Sequence, residues 1–108
     1  MATIQDVSEA TFQPVVLDSS IPVLVDFGAV WCGPCKMLDP IVKQLAQDWD
    51  GKVTVVKLDV DDSPQLAADY QVMGVPTLIL FQNGKPVERV TGYQPKDRLV
   101  NKFKPHLG

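Results

Sequence analysis

Three near-continuous apolar runs constrain this chain more than any other feature: IPVLVDFGA from Ile21, VTVVKLDV from Val53 and PTLILF from Pro76. Each is short and rich in β-branched and large apolar residues. Each therefore reads as a strand buried on both faces, the kind found inside a sheet covered by helices. What lies between them has a different period. From Pro34 to Trp49, the residues Leu38, Ile41, Val42, Leu45, Ala46 and Trp49 recur at helical spacing, which predicts an amphipathic helix. Pro34 suits its first turn, where the missing N–H costs nothing, Pro40 is expected to kink it, and Gly51 is a stop signal.

The rest of the chain fits the same alternation. A short apolar stretch (Thr3 to Val7) opens it, and a helical patch with Phe12, Val15 and Val16 follows, interrupted early by Pro14. Ser63 is positioned to cap a short helix that begins at Pro64 and carries Leu66, Ala67 and Tyr70. Asn83-Gly84 is a strong hairpin signal, pairing PTLILF with a strand from Val87 to Thr91. An amphipathic helix from Pro95 to Leu107, with Leu99, Val100 and Phe103 on one face, closes the chain. The order β-α-β-α-β-α-β-β-α predicts an α/β fold. Its central mixed sheet would have a mostly parallel core and a C-terminal antiparallel hairpin, with helices on both faces. A length of 108 residues suits one domain spanning 1–108. Such a domain buries roughly 60–70% of the surface its unfolded chain exposes, so it needs no covalent staple.

That matters for the two cysteines, Cys32 and Cys35, which stand three apart. A bridge between them closes so short a loop that it would stabilise the fold by at most roughly 2 kcal/mol. A chemical role fits better than a structural one. Cys32 falls at the start of the long helix, where free N–H groups and the positive end of the dipole favour a thiolate, the species that attacks disulfides. Cys35, in the first turn, is expected to be the less exposed of the two. Asp26 interrupts an apolar strand. A carboxylate there is desolvated, which raises its pKa and calls for a functional reason. Lys57 interrupts the neighbouring strand in the same way.

VDFGAVWCGPCK, KLDVDD, GVPTLILFQNGK and the later Gly92, in this order and spacing, resemble the thioredoxin family over nearly the whole chain. The resemblance implies the thioredoxin fold and a general protein-disulfide reductase working by dithiol–disulfide exchange. Cys32 would be the nucleophile, Cys35 the resolving thiol, and Asp26 the acceptor of the Cys35 proton, with Lys57 modulating its charge. Pro76 would be cis. Trp31, Gly33, Pro34, Gly74, Val75, Pro76 and Gly92 would form a shallow surface for an extended substrate segment. The implied partners are protein disulfides and a thioredoxin reductase, with no cofactor and no metal. Gly33-Pro34 between the cysteines resembles the reducing members, since oxidases and isomerases usually carry a histidine there.

Two positions depart from the family: Gly28 stands where a tryptophan is usual, and Asp39 where a small apolar residue is common. The expectation is that neither touches the catalytic residues, although a carboxylate one turn beyond Cys35 could raise nearby thiol pKa values slightly.

The net charge is −3, with Lys and Arg scattered, so nucleic acid is not an expected partner. The acidic cluster Asp59 to Asp62 reads as a solvated strand end, and His106, the only histidine, as a surface residue. The N-terminal residues lack a signal-peptide pattern and no apolar run approaches the roughly 20 residues of a membrane span. A cytoplasmic monomer is the expectation. Two other functions compete. A metal-binding module would need four ligands, and only His106 and carboxylates could complete the cysteine pair within one chain. A non-catalytic interaction subunit would use the fold without the thiols.

Overall fold

The computed structural model describes residues 4–107. Five strands form one sheet: β1 (Gln5–Val7), β2 (Val23–Gly28), β3 (Thr54–Asp59), β4 (Thr77–Gln82) and β5 (Lys85–Thr91). Three α-helices accompany them: α1 (Gly33–Asp48), α2 (Pro64–Asp69) and α3 (Lys96–Phe103). The spatial order is β1-β3-β2-β4-β5. β3 pairs in parallel with β1 and β2, whereas β4 runs antiparallel to both β2 and β5. The sheet is thus mixed, as expected, but its antiparallel half begins inside the core, at the β2–β4 pair.

Period-two alternation along the central strands makes two cores. On one face, Leu24, Val55, Leu78 and Leu80 pack with Leu38, Val42 and Leu45 of α1 and with Leu99 and Phe103 of α3. On the other, Val23, Val25, Phe27, Val56 and Ile79 pack with Phe12 and Val16, and Leu66 of α2 and Tyr70 just after it lie against them. Phe12, Tyr70 and Phe81 stack tilted or edge-on, at centroid separations of 5.1–5.6 Å.

Several local expectations need correction. The early helical patch is a single π-helical turn, Gln13–Leu17. α3 stops at Phe103, because Pro105 cannot continue an α-helix, and the chain tightens into a 3₁₀ turn over Lys104–His106. α1 is continuous across Pro40, which excludes a break there and leaves the expected kink untested. Ser63 occupies the N-cap position of α2, but its hydroxyl makes no capping bond and is buried without a partner. β1 begins at Gln5, and Thr3 lies outside the described residues. The Asn83-Gly84 hairpin is as expected, with both residues at positive φ. Gly84 is required twice over: a Cβ there would lie 3.0 Å from the Leu17 carbonyl oxygen. Among the described residues, no helix is long and apolar enough to cross a membrane.

Candidate active site

The end of β2 and the start of α1 bring the two cysteines together. Cys32 is the N-cap of α1, with extended backbone, and its N–H donates to Ala29 O at 3.2 Å. Its Sγ accepts the Cys35 N–H at 3.1 Å. A sulfur in this place satisfies an amide that the first helical turn leaves free, and it stands at the positive end of the helix. Gly33 and Pro34 are the first two helical residues, and the two sulfurs are joined as a disulfide. Exposure does not rank the cysteines as the sequence suggested: Cys32 is 4% exposed and Cys35 7%. With the sulfurs bonded to each other, both are shielded. What separates them is direction, since Cys32 caps the helix and Cys35 borders the cavity behind it. Beside them Val30 and Trp31 are strongly exposed, and the Trp31 indole N–H donates to Asp61 Oδ2 at 2.8 Å. Asp61 therefore does more than solvate a strand end; it ties down the tryptophan next to Cys32.

Behind Cys35 lies a cavity of about 480 Å³, lined by Asp26, Gly28, Cys35, Asp39 and Lys57 among others. Asp26 is in the middle of β2, on the face covered by α1, and is 3% exposed. Burial pushes its carboxyl pKa up to about 7. The Lys57 ammonium works against that rise and the Asp39 carboxylate adds to it. Asp26 and Lys57 are register neighbours on adjacent parallel strands. The lysine nevertheless turns to Asp39, with Nζ 3.1 Å from Asp39 Oδ1.

Both departures from the family pattern therefore touch the site, against expectation. A Cβ built at Gly28 would lie 3.5 Å from Cys35 Sγ and 3.9 Å from Asp26 Oδ1. These are ordinary contacts, so a Cβ fits there, on the lining of the cavity. Gly28→Ala is expected to raise stability by about 0.5–1 kcal/mol in urea unfolding, through the lower entropy of its unfolded chain. Gly28→Trp is expected to keep disulfide-reductase activity with an altered rate, and a folded but inactive Gly28→Trp protein would contradict that. The helical spacing from Cys35 to Asp39 was the sequence signal that the carboxylate shares the thiol's face. Nothing in the sequence identified Lys57 as its partner.

A second group is tied together at the start of β4. The Val75–Pro76 peptide is cis, Gly74 O accepts the Thr77 hydroxyl at 2.6 Å, and Pro76 O accepts the Gly92 N–H at 2.7 Å. Gly74 is exposed, Val75 and Gly92 are half-buried, and Pro76 is buried. Gly92 has φ +88, which suits glycine at this turn. His106 belongs to neither group; its Nε2 lies 3.1 Å from Glu88 Oε2.

Comparison with known proteins agrees with this geometry. The family described as Thioredoxin matches residues 3–105. Thioredoxin 1 of a Nostoc species is 45% identical over 107 residues, which cover 99% of this chain and all of that protein. A thioredoxin of Staphylococcus epidermidis is 55% identical over 84 residues, 78% of this chain and 81% of the relative. A Staphylococcus aureus thioredoxin is 54% identical over the same share. With the motif, the fold and these relatives in agreement, the chain belongs to the thioredoxin family and is a protein-disulfide oxidoreductase acting by dithiol–disulfide exchange.

Proposed function

We propose that this chain is a general reductant of protein disulfides, with Cys32 as nucleophile, Cys35 as resolving thiol and Asp26 as proton acceptor. The observation that carries the assignment is the Cys32 sulfur at the mouth of α1, accepting the Cys35 N–H. In the reduced protein the same N–H and helix end favour a Cys32 thiolate. That thiolate attacks one sulfur of a substrate disulfide. A Cys32–substrate bond forms, the substrate S–S bond breaks, and the first substrate thiolate leaves. Cys35 gives its proton to Asp26 and attacks the Cys32 sulfur. The Cys32–Cys35 bond forms and the second substrate thiolate departs, so two electrons have passed to the substrate. A thioredoxin reductase restores the dithiol.

Trp31, Gly33 and Pro34 beside the nucleophile, with Gly74, Val75, Pro76 and Gly92 at the start of β4, form the substrate surface in this reading. Main-chain groups near the cis peptide would pair with an extended substrate segment. Lys57 tempers the charge of Asp26. The chain acts as one domain over 1–108, as a monomer, and in the cytoplasm, where thiols are kept reduced and a dithiol donor can work. Reduction of insulin disulfides by dithiothreitol tests the function. Catalytic amounts of this protein are expected to accelerate it many-fold over dithiothreitol alone, and no acceleration would refute the reading.

A further inference from the structure

The cavity behind Cys35 holds an ion pair, Lys57–Asp39, whose carboxylate the exchange as described does not use. Lys57 comes from β3 and Asp39 from α1, and their 3.1 Å contact spans the space between sheet and helix, beside Asp26. Among the described residues no hydrogen bond joins Lys57 to Asp26, although the two are in register on adjacent strands. We propose that Asp39 is a positioning residue for proton transfer: by holding the Lys57 ammonium at its own carboxylate, it limits the positive charge Asp26 feels and keeps Asp26 a base strong enough to take the Cys35 proton near neutral pH. The inference rests on the proposed role of Asp26 and adds a determinant of it.

The charged groups facing this cavity come from every element around it. β1 contributes Asp6, α1 contributes Lys36 and Asp39, β3 contributes Lys57 and Asp59, and the turn after β3 contributes Asp62. β4, on the other side of β2, places Leu78 opposite Asp26 and brings no charge there. Of these groups Lys57 and Asp39 act on Asp26 with opposite signs, the first favouring its carboxylate and the second its neutral acid. Asp39 therefore acts twice in one direction, through its own negative charge and through its hold on Lys57. Both side chains are about a third exposed, 39% for Lys57 and 34% for Asp39. The pair contributes little to stability, and its effect is local.

The test is the carboxyl ¹³C titration of Asp26 in the oxidised protein, for wild type, Asp39→Asn, Lys57→Met and the double variant. Asp39→Asn is expected to lower the Asp26 midpoint by about one pH unit. In the Lys57→Met background the same replacement is expected to move it by less than half as much, because the ammonium it would release is gone. Asp39→Glu, which can rebuild the pair, is expected to return the midpoint towards wild type. An unmoved midpoint in Asp39→Asn overturns the proposal. So does an undiminished shift in the Lys57→Met background, which would mean that Asp39 acts only through its own charge. This titration reads Asp26 whether or not it accepts the proton. The acceptor role is read separately, from the rate of mixed-disulfide resolution in Asp26→Asn, where a wild-type rate would refute that role and with it the function assigned to Asp39.

Discussion

Cys35→Ser is expected to accumulate mixed disulfides with substrate proteins instead of releasing them. Cys32, the proposed nucleophile, is intact in this variant, so the first substitution is expected to proceed. No second thiol is then available to attack the Cys32 sulfur. Turnover should fall by more than about a hundredfold, equivalent to roughly 3 kcal/mol or more of lost transition-state stabilisation. Cys32→Ser should lose turnover to at least the same extent while trapping nothing at a comparable rate, because the remaining thiol borders the cavity behind the helix mouth. Non-reducing electrophoresis and intact mass measure both outcomes. Wild-type turnover by Cys35→Ser, or efficient trapping by Cys32→Ser, would reverse the assigned order of attack.

The second large effect concerns Asp26. Its carboxyl pKa is raised from 3.8 to about 7 in the folded protein. Below about pH 4 the group is protonated whether the chain is folded or not, and burial of the neutral acid carries no ionic cost. Between pH 4 and 7 the native state keeps a proton that the unfolded chain has lost, so stability falls as pH rises. Above pH 7 the full cost is present, on the order of 4 kcal/mol. Asp26→Asn removes that ionisation. It is expected to be more stable than wild type by a few kcal/mol at pH 8, with the gain shrinking towards zero near pH 4, in urea unfolding of the oxidised proteins. The same variant should resolve mixed disulfides more slowly above pH 7, where wild-type Asp26 is an ionised base. Equal stability at both pH values would mean that the carboxylate is not held in a desolvated place.

These two effects were legible to different degrees. The motif and its position at a strand–helix junction were written in consecutive residues, so the N-cap place of Cys32 followed from local chemistry. Asp26 stood out as a charge in an apolar strand for the same reason. The alternation of elements predicted the mixed sheet, yet not the order β1-β3-β2-β4-β5, which depends on pairings between residues far apart in sequence. The contacts of Gly28 and Asp39 were hidden for that reason too. A Cβ at Gly28 would meet Cys35 only because β2 passes beneath the start of α1, and Asp39 meets Lys57 only because the same helix crosses β3. Periodicity gives the face of an element and not the side chain that it meets. α3 is shorter than its apolar spacing through Leu107 predicts, because Pro105 lacks the N–H that a further helical turn needs.

Everything proposed here depends on a forward sulfur that ionises readily and a rear one that waits. Alkylation of the fully reduced protein with iodoacetamide across pH 5–9, with the label located by mass spectrometry, tests this most directly. Cys32 is expected to be modified first, several-fold faster at pH 7 than free cysteine, with a titration midpoint below that of a free thiol. Preferential labelling of Cys35, or a Cys32 that reacts no faster than free cysteine, would contradict this assignment.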